Sequence, residues 1–470
     1  MEFTAIGWGA LMTVAAAMIA SRPHIACIAI LWVSALQNFL LPLLFHLGAI
    51  DASSAQVLLL FKEVILLITL LTICYQSPNN LRTAVRVLWP GGVLLGLLLL
   101  YFILPMGPFL TARLIGLRYL ASPALLLICG WATVHSERDR GRLLLAMIAV
   151  TVVGSVFGLI ERYAMPISFW TDVVGEGDYL LRVKGLQPYL NVIGGLNANH
   201  FAFGARRLVT LYGDALSAGA NLALGTVVLL SLGLERSTLR AGRGMLIWAA
   251  ASAAATFATV SREAVLTVLG SAAMVIVLHR QRASPRTWLF LVVLALLSIG
   301  SAFLLGLGSQ LRLAFGTLTS LEYGSTRVHL LYLLTGAAVV AGLPFGMGLG
   351  TSGFWSKSLF ELATPGVGES AYFSIATQVG WAGAILLAWL LLRAVRQLNR
   401  ARRFAALDAS ATALMAVLFM RTVLSLFSEN LFAFTGSSAL LMLTGATLRG
   451  AWNSTEDSRL GRGSPQGMTP

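Results

Sequence analysis

Residues 328–350 read VHLLYLLTGAAVVAGLPFGMGLG, an apolar run followed by a glycine-rich turn. This stretch decides the topology of the chain, because counting residues 328–343 as a membrane-spanning helix would move every later loop to the other side. The basic cluster between Arg393 and Arg403 would then lie outside, against the usual distribution of positive charge. We therefore expect residues 328–343 to form a helix that lies on, or dips into, the membrane at its outer surface.

The composition is that of a helical membrane protein. Of the 470 residues, 57% are hydrophobic and 11% are charged, and the mean hydropathy is +0.81. Soluble domains carry about 25% charged residues. Apolar runs of about 16 to 22 residues recur along the whole chain, which predicts an all-α polytopic integral membrane protein.

About thirteen spanning helices are predicted from these runs. They lie near residues 4–21, 25–45, 55–76, 88–105, 115–134, 143–161, 216–233, 245–260, 264–279, 288–305, 371–392, 408–427 and 432–448. If the N-terminus lies outside, the short arginine-bearing loops fall on one face, which is the pattern of cytoplasmic loops.

The spans divide the chain into six parts. We expect these to be an N-terminal bundle (1–161), a periplasmic loop (162–215), central helices (216–305), a large periplasmic loop with an in-plane helix (306–370), C-terminal helices (371–450) and a disordered cytoplasmic tail (451–470).

The net charge of +14 does not indicate nucleic-acid binding, because basic residues distributed over loops are the ordinary signature of membrane orientation. Cys27, Cys74 and Cys129 all lie within apolar runs. We therefore interpret them as buried small hydrophobic residues, and not as disulfide partners or metal ligands.

A second set of basic residues departs from the cytoplasmic pattern and lies mostly near the outer face. It comprises Lys62, Arg113, Arg118, Arg162, Arg182, Lys184, Arg206, Arg207, Arg262, Arg312, Arg327, Lys357 and Arg421. Some are expected to pair with acids: Lys62 with Glu63 or a neighbouring acid, and Arg421 with Glu429. The set as a whole predicts an outward-opening cavity for an anion, because charges within a membrane usually face a cavity and a partner. The planar guanidinium group of arginine can donate two hydrogen bonds to a phosphate, and apolar walls can accommodate the chain of a lipid that carries a diphosphate.

Four short motifs on this side carry the pattern. They are Arg206-Arg207 ahead of Leu211-Tyr212-Gly213-Asp214, Thr259-Val260-Ser261-Arg262 in a tight outer turn, Arg327 at the start of the surface helix, and Gly346-Met347-Gly348-Leu349-Gly350 at its end. The backbone N–H groups of the glycine turn could face an anion. Each motif alone is weak evidence for an anion site. The evidence is stronger because all four occur in this order and on the same predicted side of the membrane.

In these motifs the chain resembles the O-antigen ligase / O-antigen polymerase superfamily of bacterial polysaccharide enzymes, over about residues 206–383. The resemblance extends to Gly368-Glu369-Ser370-Ala371-Tyr372 and Gln378-Val379-Gly380-Trp381-Ala382-Gly383. It implies an undecaprenyl-diphosphate-linked oligosaccharide donor, a sugar acceptor, and no nucleotide sugar, metal ion or other cofactor. It also implies a bacterial inner membrane location with a periplasmic active site. The candidate partners are membrane lipids, a chain-length regulator and a flippase. Nucleic acid is not an expected partner.

The chain departs from the ligases at one position. Ligases of this superfamily carry His-Asn where this chain has Glu369-Ser370. The resemblance therefore favours a polymerase over a ligase that acts on the lipid A core, with Glu369 as the base that takes a proton from the acceptor hydroxyl.

The predicted diphosphate site consists of Arg206, Arg207, Arg262, Arg327, Gly346 and Gly348. Secondary candidates are the substitute bases His200 and His329, together with Asp214, Arg118 and Arg421.

Two other classes of protein are alternatives to a transferase. A transporter or flippase of lipid-linked sugars also needs a basic cavity, but such proteins commonly show internal repeats, and none is visible here. A structural member of an export complex could use arginines to bind anionic lipid, but such bases lie mainly on the cytoplasmic side.

Overall fold

The computed structural model describes residues 5–104, 106–185, 200–202, 205–235, 240–279, 324–353 and 370–459, with only the backbone for residues 202, 205, 240, 324–330 and 457–459. Seven helical segments in these ranges are long and apolar enough to cross a membrane, with Ala52–Gln76 counted as one. An eighth span results if two helices joined by a sharp bend act together. The protein is therefore an all-α, multi-pass membrane protein, as its composition predicts.

The helices of the described ranges are numbered in chain order. They are α1 (Ala5–Ala20), α2 (Pro23–His46), α3 (Ala52–Leu58), α4 (Phe61–Gln76), α5 (Pro78–Val87), α6 (Trp89–Ile103), α7 (Leu110–Thr133), α8 (Glu137–Tyr163), α9 (Glu176–Arg182), α10 (Ala215–Glu235), α11 (Arg240–Ala258), α12 (Arg262–His279), α13 (Gly324–Ala341), α14 (Ala371–Ala401), α15 (Asp408–Leu424) and α16 (Phe434–Arg459). A π-helix (Phe169–Val173) precedes α9, the strands β1 (Phe201–Ala202) and β2 (Ala205–Arg206) pair antiparallel, and a 3₁₀ turn (Thr210–Tyr212) leads into α10.

Most predicted spans coincide with these helices, including the two short central ones, α11 and α12. The span predicted near 288–305 lies outside the described residues. The predicted surface helix is α13, which packs against α14, where the indole N–H of Trp381 donates to the carbonyl of Val340 (2.7 Å). Its position relative to a membrane stays a prediction.

The predicted end of the last helix near residue 448 is wrong, because α16 continues to Arg459 into the segment expected to be disordered. Trp452 packs against the main hydrophobic core, and the side-chain amide of Asn453 donates to the carbonyl of His135 (3.3 Å). These tertiary contacts hold a polar stretch in helical form that its composition alone did not indicate. Residues 460–470 lie outside the described residues.

The centre of the bundle is α10, whose residues are almost all buried and which contacts α8, α11, α12, α15 and α16. Its sequence is rich in Gly, Ala and Ser. A side chain at Gly225 would overlap Thr151 of α8, and one at Gly130 of α7 would overlap the carbonyl of Met442 of α16. Small residues thus allow close helix packing, the common device in membranes, where lipid removes the hydrophobic driving force between helices.

One end of the bundle brings together the loops that were predicted to be cytoplasmic. The guanidinium of Arg393 donates to the carbonyl of Val87 (2.7 Å), and that of Arg140 donates to the carbonyl of Ala406 (3.1 Å). We call this the arginine-rich end, defined by residues 77–88, 134–140, 393–407 and 449–453.

The other described loops meet at the opposite end, defined by residues 47–51, 106–109, 164–185, 200–214, 259–262, 344–353 and 425–433. There the amide of Gln56 donates to the carbonyl of Val183 (2.9 Å), and the N–H of Ala371 donates to the carbonyl of Ser425 (2.9 Å). These described loops therefore lie at two opposite ends of the bundle. Which end faces outside stays a prediction.

Candidate functional site

Arg207 is held at the opposite end by backbone contacts on both sides. The hairpin of β1 and β2 brings its N–H to the carbonyl of His200 (2.7 Å). Its side-chain Nε donates to the carbonyl of Thr259 (2.9 Å), and the neighbouring N–H of Leu208 donates to the carbonyl of Ala258 (3.0 Å). The two arginine-bearing motifs, distant in the chain, are therefore joined.

The turn between α11 and α12 carries Arg262 to the same place. Val260 in this turn has φ +52°, a left-handed conformation that is rare for a β-branched residue. Gly219 of α10 allows the turn to approach, since a Cβ there would lie 2.7 Å from the Cβ of Ala264. The predicted tight turn is confirmed, and the strained backbone is maintained by the packing around it.

Arg207, Asp214 and Arg262 form one charge cluster. Burial lowers the pKa of Arg207 to about 10, the carboxylate of Asp214 acts in the opposite direction, and the charge of Arg262 lowers it further. Arg207 therefore remains positive near neutral pH. Asp214 also caps α10, where its Oδ1 accepts hydrogen bonds from the N–H groups of Leu216 (2.9 Å) and Ser217 (2.7 Å).

Lys184, which follows α9, adds positive charge beside this group. It is partly buried, and burial lowers its pKa while the carboxylates of Glu176 and Asp214 raise it. Lys184 is one of the basic residues that depart from the cytoplasmic pattern, but the predicted diphosphate site does not include it. Its neighbours in the chain carry no signal of this placement, which depends on how α9 packs.

Lys62 of α4 extends the same positive region. Its buried ammonium donates to the side-chain carbonyl of Gln37, lies 5.9 Å from the centre of the Phe434 ring, and interacts electrostatically with Lys184. The predicted partner, Glu63, is 4.0 Å away. We define the basic cluster as Lys62, Lys184, Arg207, Arg262 and the carboxylate of Asp214.

Arg206, in contrast, belongs to a structural network, and its predicted role in binding the diphosphate stays a prediction. Its Nη2 donates to the carboxylate of Glu161 (2.8 Å), and its Nη1 donates to the carbonyl of Met165 (2.7 Å). The same carboxylate oxygen accepts the indole N–H of Trp170 (3.0 Å). These donors are thus used inside the fold.

His200 has a similar structural position. It is fully buried, its Nε2 is paired with the carboxylate of Glu176, and its ring lies 5.1 Å from that of Trp170. Its backbone carbonyl holds Arg207. The structure therefore gives His200 a supporting role. It does not indicate that His200 acts as a substitute base.

Arg118 and Arg421 are both paired with acids. Arg118 binds the carboxylate of Glu63. Arg421 pairs with Glu263 (2.7 Å), so the predicted pair with Glu429 is wrong. Glu429 is near Arg421 in the chain, but the packing of α12 against α15 brings Glu263 closer.

The glycine turn after α13 donates hydrogen bonds to α14 at the point where that helix is broken. Helical dihedral angles stop at Val379 and Gly380, where φ is −127° and +75°. The N–H of Met347 donates to the carbonyl of Thr377 (2.7 Å), and the N–H of Gly348 donates to that of Gln378 (2.9 Å). A broken helix in a membrane protein needs such partners, because lipid offers none.

This arrangement corrects the predicted role of the glycine turn. The N–H groups of Gly346 and Gly350 are also bonded, to the carbonyl of Leu343 (3.1 Å) and to the side-chain oxygen of Gln378 (2.8 Å). The predicted donors to an anion, Gly346 and Gly348, therefore bond within the protein, and the turn has a structural role.

Three predicted residues lie outside the described structure: Glu369, and the side chains of Arg327 and His329. Directly after Glu369, the hydroxyl of Ser370 caps α14 by accepting from the N–H of Phe373 (3.4 Å). The start of α14 lies against the loop of residues 425–433, at the same end as the basic cluster.

Searches of protein-family models and of curated proteins both found no match to this chain.

Proposed function

We propose that this protein is a membrane glycosyltransferase that transfers an undecaprenyl-diphosphate-linked glycan to a sugar acceptor, as polysaccharide polymerases do. The observation that supports the proposal is the basic cluster. Among the described residues it gathers four cationic side chains at the end opposite the arginine-rich loops, and the carboxylate of Asp214 interacts with two of them, Lys184 and Arg207. The planar guanidinium groups of Arg207 and Arg262 match the geometry of phosphate, to which they can donate two hydrogen bonds.

The directions of the helices support the same ligand. The helices α10, α12, α14 and α16 all begin at the opposite end, and Arg262 is the first residue of α12. A helix N-terminus carries a partial positive charge and is a favourable place for phosphate. The side chains and the helix starts therefore favour an anion at one place.

In the proposed reaction, the acceptor hydroxyl attacks the anomeric carbon of the donor sugar. The hydroxyl proton passes to the carboxylate of Glu369, a new C–O bond forms, and the bond from the anomeric carbon to the diphosphate breaks. The diphosphate leaves with the electron pair, and Arg207 and Arg262 stabilise its charge. Removing one such donor commonly costs about 3–4 kcal/mol of transition-state stabilisation.

The test combines a gene deletion with complementation by variants. The deletion strain should accumulate single lipid-linked repeats, whereas finished lipid-linked polymer would indicate the ligase alternative. Arg207→Ala and Arg262→Ala should fail to restore polymer at normal protein abundance, and lysine should restore little, because an ammonium lacks the bidentate fork.

Arg182→Ala is the matched control, since Arg182 is an exposed arginine at the same end that lies outside the basic cluster. It should restore polymer fully. The proposal is wrong if the deletion leaves the lipid-linked glycans unchanged. Full activity of both lysine variants would overturn the guanidinium clamp and leave only a requirement for positive charge.

A further inference from the structure

The short helix α5 and the end of α14 form a basic surface at the arginine-rich end, far from the basic cluster. α5 and α6 meet at 99° across Leu88, so α5 runs across the direction of the helix that follows it. Ala84 and Val87 of α5 are buried. Arg82 and Arg86 are exposed and, four residues apart, share one face of the helix. This is the pattern of a helix that lies in the plane of a membrane surface.

A stripe on α14 continues this surface. Trp389, Arg393, Arg396 and Arg400 follow one another at intervals of three or four residues and therefore share one side of the helix. The guanidinium of Arg393 donates to the carbonyl of Val87 (2.7 Å), which fixes the stripe against the end of α5. Arg396 and Arg400 are exposed.

A tryptophan pair lies where the two elements meet. The ring centres of Trp89, the first residue of α6, and Trp389 are 4.7 Å apart at an interplanar angle of 75°. Trp389 is 46% exposed. Tryptophan concentrates at the membrane–water interface, so the pair marks the depth at which lipid headgroups are expected.

We propose that this surface binds the phosphate groups of anionic phospholipids. The side chains of Arg82, Arg86, Arg396 and Arg400 make no hydrogen bond or ion pair in the part of the chain that the structure describes. Their guanidinium groups are placed at headgroup depth beside the tryptophan pair, and each can donate two hydrogen bonds to a phosphate. A phosphatidylcholine headgroup is neutral overall, so charge complementarity selects an anionic lipid. The inference does not depend on the proposed transferase activity.

The experiment measures lipid binding by the full chain in detergent, with phosphatidylglycerol and phosphatidylcholine as probes. The triple variant Arg82→Gln, Arg86→Gln, Arg396→Gln should lose roughly 10- to 100-fold in affinity for phosphatidylglycerol at low salt, because each basic residue near an anionic surface adds to the attraction. Binding by the unmodified protein should weaken as salt increases.

The matched control is Arg22→Gln, Arg138→Gln, Arg142→Gln, which removes three exposed arginines predicted for the same face. It should retain the affinity for phosphatidylglycerol. An equal loss in both triple variants would overturn the site in favour of general attraction between the basic end and the lipid. Equal binding of the two lipids, or the absence of salt dependence, would overturn the recognition of anionic headgroups itself. If the triple variant folds poorly, Arg82→Lys with Arg86→Lys retains the charge and should retain most of the binding; complete loss there would also overturn the proposal.

Discussion

The Nη1 atom of Arg421 lies 2.7 Å from a carboxylate oxygen of Glu263. The other oxygen of Glu263 accepts hydrogen bonds from the hydroxyl of Ser428 (2.7 Å) and from the side-chain amide of Asn430. One carboxylate thus joins α12, α15 and the loop before α16. Because Glu263 follows Arg262 directly, this network also holds the start of α12 that carries an arginine of the basic cluster.

Breaking this pair should destabilise the protein. The side chains of Arg421 and Glu263 are only 3% and 12% exposed, and a buried charge that loses its partner costs about 3–5 kcal/mol. We expect Arg421→Met to lose stability in this range, measured by denaturation in detergent. The double exchange Glu263→Arg with Arg421→Glu should recover part of the loss.

The control for this pair is Arg142→Ala. Arg142 is 45% exposed and lies 3.7 Å from Asp139, so its removal should cost less than about 1 kcal/mol. If Arg421→Met were as stable as this control, the Glu263 network would not be the contact that holds α12 to α15.

Substitution in the glycine turn should destabilise through both space and backbone conformation. Gly348 has φ +102°, and a side chain there would overlap the backbone of Gly107. Gly348→Ala is therefore expected to cost about 2–5 kcal/mol. Two controls separate the effects in thermal denaturation. Gly48→Ala, with φ +68° in open space, should cost about 1–2 kcal/mol, and Gly141→Ala, in open space on α8, should cost nothing. Equal stability of all three variants would contradict the proposed role of the turn.

Cysteine labelling tests the orientation of the two ends. In a variant in which Cys27, Cys74 and Cys129 are replaced by serine, a cysteine at exposed Asp172 should react with a membrane-impermeant maleimide in intact cells. A cysteine at exposed Asn79, at the arginine-rich end, should react only after lysis. The reverse pattern would place the basic cluster on the cytoplasmic side and would remove the basis of the proposed periplasmic reaction.

Lys184 should contribute to transfer although no sequence motif includes it. Lys184→Gln removes one charge beside Asp214 and is expected to lower kcat/KM for the lipid-linked donor by about tenfold or more, with little change in stability. Arg182→Gln removes a nearby exposed charge and serves as the control. Equal kcat/KM values for both variants would exclude Lys184 from the diphosphate site.

The part of the site that could be predicted was local in the chain. Thr259-Val260-Ser261-Arg262 was expected to form a tight turn between two helices, and α11 and α12 meet there. Arg207 and Asp214 were expected to lie near each other at the start of a helix, and both lie beside α10. The partners of Arg206 and Arg421 were not predictable in this way, because Glu161 and Glu263 lie on helices that are distant in the chain.

By itself, the sequence determined the helical membrane character and the approximate place of most helices. In lipid, each segment must satisfy its own backbone hydrogen bonds, so the length and apolarity of a run suffice to predict a helix. The tertiary structure decided which charges pair, which charges gather in the basic cluster, and what the glycine turn does. The N–H groups of Met347 and Gly348 bond to α14 because that helix breaks at Gly380, an interruption that its apolar sequence did not reveal. Such pairings depend on which helices become neighbours, and that is settled by packing across the whole bundle.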